Sequence, residues 1–407
     1  MDNKAVEHFT HRLERELMEN ILPFWLEHSV DHENGGFVGR MSNDLVIDAA
    51  AAKGLILNTR LLWTFSAVYR YNHDFRCLEL ARRAYDYLER YFWDEQYGGA
   101  FWQTDCRGKC IDDKKKIYGQ AFYLYALSEF YLATQYAPAM KQAVALFQFI
   151  EQNSYDHEFG GYFETCNRDG SLAEDARLSD KDLNEKKSMN NHLHLLEAYT
   201  HFYRIHKDPK IADRLWELIR LFQLQILDIK TIHFHHFFDE RWQPKSSTYT
   251  FGHDIEGSWL LTEAADALNN DALSAEVNRL ALALSSTVCK EGIDQDGGLF
   301  YEGQAGAVID TNKEWWPQAE AVVGFLNAWR LSGKERFFAA ALKIWTFIEN
   351  RIVDKQHGDW FWRVSRDGEV DHNEPKVSEW KGPYHNTRAC LESIRRLKPN
   401  VEGELRL

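Results

Sequence analysis

Apolar residues recur every three or four positions through twelve stretches of the chain, at about 3–27, 53–72, 75–92, 116–136, 138–153, 187–206, 208–226, 253–269, 271–289, 313–331, 334–351 and 382–397. That spacing predicts twelve amphipathic helices. Connections after the even-numbered helices are short, as in antiparallel helix hairpins. Those after the odd-numbered helices are long, and five of them carry related turns: DHENGGF at 31–37, DEQYGGAF at 94–101, DHEFGGYF at 156–163, DQDGGLF at 294–300 and the weaker DKQHGDWF at 354–361. Each turn with its aromatic flanks predicts a small β-hairpin. The first glycines stand at 35, 98, 160, 297 and 358, so the steps are 63, 62, 137 and 61 residues and one copy is missing. It is expected near 229–240, where HFHHFFDERW at 233–242 supplies aromatics and an acid but no glycine pair. A repeat of this length is a supersecondary unit that buries its apolar face against its neighbours.

An open solenoid needs polar capping repeats at its ends, whereas here the first and last helices are as apolar and aromatic as the rest. The expectation is an all-α, closed (α/α)6 barrel in one domain over 1–407, with short β-hairpins in the long loops at one end. The helices at 53–72, 116–136, 187–206, 253–269, 313–331 and 382–397 are expected to line the inside.

Composition narrows the partners. The first residues, MDNKAVEHFTHRLEREL, are charged and amphipathic, and no stretch approaches 18 apolar residues, so neither secretion nor a membrane span is indicated and a cytoplasmic location is expected. Six cysteines are scattered without a disulfide pattern and are expected to be free thiols. A net charge of −14 argues against nucleic acid, which needs an extended cationic face. Aromatic residues make up 14% of the chain, and several sit in turns, where rings can stack on the apolar faces of sugars.

Candidate chemistry gathers at the starts of the inner helices: Asn58 and Arg60, Tyr118 and Gln120, Asn190 and His194, His253 and Glu256, then Trp315, Trp316, Gln318 and Glu320, and finally Trp380 with His385. All inner helices of such a barrel run the same way, so these N-termini converge. Asn190 and His194 are four apart and share a face, which leaves His192 on the other side as a core histidine. Trp315 and Trp316 point apart, so one of them faces the pocket. His233, His235 and His236 alternate as in a strand, but no carboxylate at supporting spacing makes them a metal site, and no metal is expected. Two histidines with ordinary pKa values near 6.5 can move protons at neutral pH. An enediolate formed next to a carbonyl would be stabilised by Arg60 and by helix dipoles. The chain has no dinucleotide or phosphate-loop fingerprint, and no cofactor is expected.

The segments NTRL at 58–61, NNHLHLLEA at 190–198, GHDIEGSW at 252–259, GGLFYEG at 297–303, WWPQAE at 315–320 and WKGPYHNTR at 380–388 resemble the N-acylglucosamine 2-epimerase superfamily, and within it the cellobiose 2-epimerase family. The resemblance spans essentially the whole chain. It implies an (α/α)6 barrel that interconverts C2 epimers at the reducing end of a sugar without metal or nucleotide. It further implies that His385 takes the proton from C2 and that His253 serves as acid and base on the ring oxygen and O1. His194 and Arg60 would polarise the C1 and C2 oxygens, and Glu256 would hold His253 or a sugar hydroxyl. Asn58, Tyr118 and Asn190 would bind substrate, Trp316 and Trp380 would stack on it, and Trp380, Asp182 and Glu302 would meet a second sugar. The expected partner is therefore a small carbohydrate, a disaccharide such as cellobiose or lactose.

One base suffices for C2 inversion if the planar intermediate turns; otherwise two acids on opposite faces are needed, and the sequence leaves both open. Protonation at C1 would give the ketose as a side product. The alternatives are an epimerase or isomerase of mannose or N-acylglucosamine, an (α/α)6 glycoside hydrolase, which needs a carboxylate pair across the scissile bond, and a non-catalytic barrel, which would leave the histidines and arginine without a role.

Overall fold

A computed structural model describes residues 3–398; residues 1–2 and 399–407, part of the expected 1–407 domain, lie outside the described residues. Among the described residues twelve continuous helical segments alternate between two concentric layers. Helix α1 runs through Asn3–Arg15, a π turn at Glu16–Ile21 and Leu22–His28. It is followed by α2 (Leu55–Asn72), α3 (Phe75–Tyr91), α4 (Ile117–Thr134), α5 (Ala137–Asn153) and α6 (Met189–Ile205). Then come α7 (Pro209–Leu221, continued by the π turn Phe222–Ile226), α8 (Phe251–Leu268) and α9 (Asp271–Glu291). The last three are α10 (Trp315–Ser332), α11 (Glu335–Phe347, continued by the π turn Ile348–Ile352) and α12 (Tyr384–Leu397).

The inner ring passes from α2 to α4, α6, α8, α10 and α12, and α12 packs back on α2. Each even-numbered helix from α2 to α10 also packs on the helix that follows it, while α12 packs on α1, so the sixth hairpin is assembled from the two ends of the chain. Sequence composition explains the layers. In α2 and α4 every residue of the first fourteen is buried, as a helix surrounded by others requires. The outer α3 buries only one stripe, including Cys77, Ala81, Ala84 and Leu88. Inner-to-outer links are two residues long where a left-handed residue (His73, Gln135, Asn269 or Gly333) stops one helix and an extended residue starts the next. Among the described residues no helix is long and apolar enough to cross a membrane.

The long loops carry short β-hairpins as expected, Gln103–Thr104 with Cys110–Asp112 and Glu302–Gln304 with Ala307–Asp310, but these do not span the glycine turns. Across each glycine turn only a single β-bridge forms, such as Trp93 with Ala100 and Tyr155 with Tyr162. The two-residue strands instead join neighbouring repeats: Lys53–Gly54 pairs with Gln103–Thr104, Lys115–Lys116 with Thr165–Cys166, Lys187–Ser188 with Phe237–Phe238, and Lys313–Glu314 with Arg363–Val364. The three-residue strand Thr248–Thr250 pairs with Glu302–Gln304 in the same way, and a bridge between Met41 and Val377 completes the circuit. A strand just before an inner helix thus ties that helix to the next loop, and the lysine it carries reaches the acid of the preceding turn. Lys53 meets Asp31 at 2.8 Å, Lys115 meets Asp94 at 3.1 Å, Lys187 meets Asp156 at 2.6 Å and Lys313 meets Asp294 at 2.9 Å; Lys376 pairs with Asp354.

The missing copy is the turn at 228–234, so its acid is Asp228 and not Asp239 of the DERW segment. Ile232 donates its N–H to Asp228 O at 2.8 Å, as Gly98 does to Asp94 O at 2.8 Å, and Ile232 takes the left-handed φ of 58° where the other turns have glycine. The lysine–aspartate pair is replaced by His233 and Asp254 at 2.6 Å, which gives one of the three histidines of that segment a place in the turn. At the third turn Gly161 has φ +75°, and an added Cβ would lie 2.4 Å from the Trp242 ring and 2.7 Å from His192 Nε2. Gly161→Ala is therefore expected to lower unfolding free energy by about 2–4 kcal/mol in a denaturant titration. A loss below about 1 kcal/mol would mean that the turn relaxes freely.

Candidate active site

Every inner helix starts at the loop end of the barrel, and its register sorts side chains into two sets. Counted from the first residue of each helix, the second position holds Tyr118, Asn190, Trp316 and His385, and the sixth holds Arg60, Phe122, His194, Glu256 and Glu320. Positions four apart share a face. The fourth position faces the other way and holds Asn58, Gln120, His192, Asp254 and Gln318. These residues pin the turns. Gln120 accepts from Ala100 N at 2.7 Å and donates to Ala100 O at 2.8 Å, and Gln318 makes the same pair with Leu299 at 2.7 and 2.8 Å. His192 Nε2 accepts from Tyr162 N at 2.9 Å while Nδ1 faces Ser188 O at 2.7 Å, and Asp254 accepts from Phe234 N at 2.9 Å. Gln120 and Gln318 thus leave the group of candidate chemical residues. Asn58 donates to Gly54 O at 2.8 Å and is not brought to the pocket cluster.

At the centre of the inward set lies Arg388, fully buried, which sequence reading passed over inside its motif. Its Nη2 donates to Glu256 Oε1 at 2.6 Å and to Glu320 Oε1 at 2.7 Å, and its Nη1 is bound to Glu197 and Tyr384. Glu320 Oε1 also meets His385 Nδ1 at 2.7 Å, and Glu197 Oε2 meets His194 Nδ1 at 2.9 Å. One guanidinium therefore links two histidine–carboxylate pairs into a continuous buried chain. A carboxylate on Nδ1 places the proton there and directs Nε2 to the substrate as an acceptor. Glu256, expected to hold His253 or a sugar hydroxyl, is bound to Arg388 through Oε1 and makes no hydrogen bond to His253. Glu256, Glu320 and His385 converge closely enough to be weighed as a cation site. The Arg388 guanidinium already supplies positive charge between those two carboxylates.

On one side of the chain Arg60 donates to Trp380 O at 2.6 Å and to Tyr118 Oη at 3.1 Å, and it lies 4.6 Å over the Phe122 ring. Tyr118 stands edge-on to His194 at 4.9 Å, and the Trp380 ring is 6.2 Å from Tyr118 and 5.7 Å from Trp102. On the other side Trp316 lies 4.7 Å from His253 and 5.9 Å from His385, with its indole N–H on Glu314 at 3.1 Å, while its neighbour Trp315 is buried against Trp362. His253 Nδ1 meets the Thr250 hydroxyl at 2.5 Å. Arg60, Tyr118, His194, His253, Glu256, Trp316, Trp380 and His385 are thus one connected cluster. Glu302 lies beside the cluster as the strand partner of Thr250, Asp182 accepts from Ser179 N at 2.8 Å, and Tyr301, whose phenol burial and the charges of Glu314, Glu302, Asp310 and Asp182 hold above its usual range, has its ring 6.3 Å from Trp316. Asn190 Oδ1 is buried without a hydrogen-bond partner.

Burial decides the protonation states. It pushes His194 below its ordinary value despite Glu197, and His385 well below, helped by the positive charges of Arg60 and Arg388. His253 is lowered well below by burial and by His236, His194 and His385. Burial also raises Glu256, with repulsion from Glu320, against the pull of Arg388, whereas at Glu197 the burial penalty is outweighed by Arg388 and His194 and the carboxyl falls to about 2. Three neutral imidazoles around a guanidinium and six helix N-termini form a site equipped to accept a proton from carbon and to stabilise a negative oxygen.

Comparison with known proteins agrees with this chemistry. The family profile described as N-acylglucosamine 2-epimerase (GlcNAc 2-epimerase) matches residues 35–389. A cellobiose 2-epimerase of Bacteroides fragilis is 43% identical over 94% of this chain and 97% of its own, and one of Dictyoglomus turgidum is 37% identical over 94% and 97%. The solved structure of the cellobiose 2-epimerase from Bacillus thermoamylovorans B4167 superposes with a TM-score of 0.92 at 36% identity, covering 96% of this chain and all of that one, which shows the (α/α)6 barrel.

Proposed function

The chain belongs to the N-acylglucosamine 2-epimerase family, and from that membership we propose that it is a cellobiose 2-epimerase, reversibly converting the reducing-end glucose of β-1,4-linked disaccharides to mannose. The observation that carries the chemistry is the His385–Glu320 pair. The carboxylate holds Nδ1 at 2.7 Å, so the neutral imidazole has Nε2 for the C2 proton, and the imidazolium that forms is stabilised in place. His253 takes the proton of O1 and returns it to the ring oxygen as the C1–O bond opens, and the reverse on closing. Arg60 supplies the positive charge for O1 and O2 of the enediolate, and His194, joined to it through Tyr118, accepts a hydrogen bond from a sugar hydroxyl through Nε2. Return of the proton to the other face of C2 gives the epimer.

Trp316, beside His253 and His385, stacks on the reacting ring in this reading. The aromatic pair Trp380 and Trp102 supports acceptance of a second sugar. Hydrolysis fits less well. Its two carboxyl groups must flank a glycosidic bond with room for sugar or water, and Glu256 and Glu320 grip the same guanidinium nitrogen.

Rates with cellobiose, lactose, mannose and N-acetylglucosamine test the substrate class. The expected result is a kcat/KM for cellobiose at least tenfold above that for mannose, about 1.4 kcal/mol of transition-state binding from the second sugar. A preference for mannose or N-acetylglucosamine would move the activity to a monosaccharide enzyme of the same family, and release of glucose would establish a hydrolase.

A further inference from the structure

The three pocket histidines are not equivalent: His385 and His194 have a carboxylate on Nδ1, and His253 has a neutral hydroxyl. We propose that Thr250 is a positioning residue which, by offering His253 a hydroxyl in place of a carboxylate, makes it the proton shuttle for sugar ring opening and leaves carbon acidity to the carboxylate-backed His385. The proposal rests on the epimerase reading above.

The geometry argues that the contact is built. Thr250 is the N-cap of α8, a position where a threonine oxygen ordinarily accepts a backbone N–H of the first turn and adds about 1 kcal/mol. The same position in α6 behaves so: Ser188 accepts from Asn191 N at 3.1 Å. Thr250 makes no such cap, and its hydroxyl turns to the imidazole of His253 at 2.5 Å. Its backbone N–H donates to His236 Nε2 at 3.1 Å, and the His236 ring stands edge-on to His253 at 5.7 Å, so the threonine is braced from behind. Thr250 is itself buried.

The chemical consequence follows from the donor inventory. A carboxylate only accepts, so it fixes Nδ1–H and strengthens Nε2 as a base. A threonine hydroxyl donates or accepts, so both neutral tautomers of His253 are supported, and an imidazolium formed there gains no ionic partner. It therefore stays a strong acid. The proton that Nε2 takes from O1 is passed to the ring oxygen as the C1–O bond breaks, with no net change at His253. At His385 the Glu320 charge makes the opposite choice, holding the proton long enough for the enediolate to reorient.

The test uses Thr250→Val, which keeps the shape and loses the hydroxyl, Thr250→Ser, which restores it, and Thr250→Asp, which supplies a carboxylate. Nitrogen-15 NMR of the unliganded protein should show both neutral tautomers at His253, against Nδ1–H alone at His385 and His194. In T250V His253 should settle in one tautomer, in T250S it should resemble wild type, and in T250D its titration should move upward. With cellobiose, interconversion of the two anomers should fall about 10–100-fold in T250V, the range for losing a partner behind an acting imidazole, and stay within a few-fold in T250S. Unchanged anomer exchange in T250V, equal damage in T250S, or a single tautomer at wild-type His253 would overturn the proposal. Failure of the epimerase reading is separate: wild type would then exchange no C2 proton on any sugar, while the nitrogen spectra would still report the Thr250 contact.

Discussion

His385→Ala should slow exchange of the C2 proton by about 10²–10⁴-fold, the usual contribution of a positioned general base, while cellobiose still binds. The expectation comes from position and charge together. His385 opens α12 at the loop end, its Nδ1 is taken by Glu320 at 2.7 Å, and burial with the charges of Arg60 and Arg388 keeps it neutral. A base that is already neutral needs no rise in pH, so the acid limb of kcat/KM should lie below the ordinary histidine value near 6.5. Proton NMR in D2O measures exchange, and calorimetric titration with cellobiose measures binding. Exchange at an undiminished rate would remove His385 as the base, and loss of binding in step with exchange would make it a binding residue only.

The second large effect is on stability. Arg388→Met leaves Glu197, Glu256 and Glu320 buried without their common cation. Removing one partner from a buried ionic cluster costs about 3–5 kcal/mol, against a total of about 5–15 for a typical protein. The sign of the pH dependence is fixed by the carboxyls. Burial holds Glu256 and Glu320 above their ordinary value, so the folded state binds more protons than the unfolded one between those values, and stability is lost as pH rises through that window. Without Arg388 the two carboxyls rise further, so the deficit of the variant in urea unfolding should be larger at pH 8 than at pH 5. An equal deficit at both would mean that the cluster is not ionised in the wild type. Activity should fall as well, because the His385–Glu320 and His194–Glu197 pairs lose their anchor.

The helices and the glycine turns were legible because their signals are local: apolar spacing, a Gly–Gly pair and aromatic flanks. The partners of those turns were not. Lys53, Lys115, Lys187 and Lys313 stand just before inner helices, at a constant place in the repeat, but a lysine beside acids in a loop reads as solvated until the strand that directs it inward is known. Arg388 was hidden by distance, since Glu320, Glu256 and Glu197 lie 68, 132 and 191 residues away along the chain. His253 shows a finer difficulty. Glu256 and Thr250 are both three residues away, and spacing alone does not choose between them; helical side chains lean toward the N-terminus, which brings His253 onto Thr250 and frees Glu256 for Arg388. The copy at 228–234 was displaced in the sequence reading because Ile232 takes the conformation that glycine marks elsewhere.

Proton NMR of cellobiose with the EDTA-treated protein in D2O tests the central claim most directly. Glucosyl-mannose signals should appear with deuterium at C2, in both epimers as equilibrium is approached. Epimer whose C2 stays fully protonated through many turnovers to equilibrium, or free glucose in place of epimer, would contradict a histidine-mediated enediolate at the reducing end.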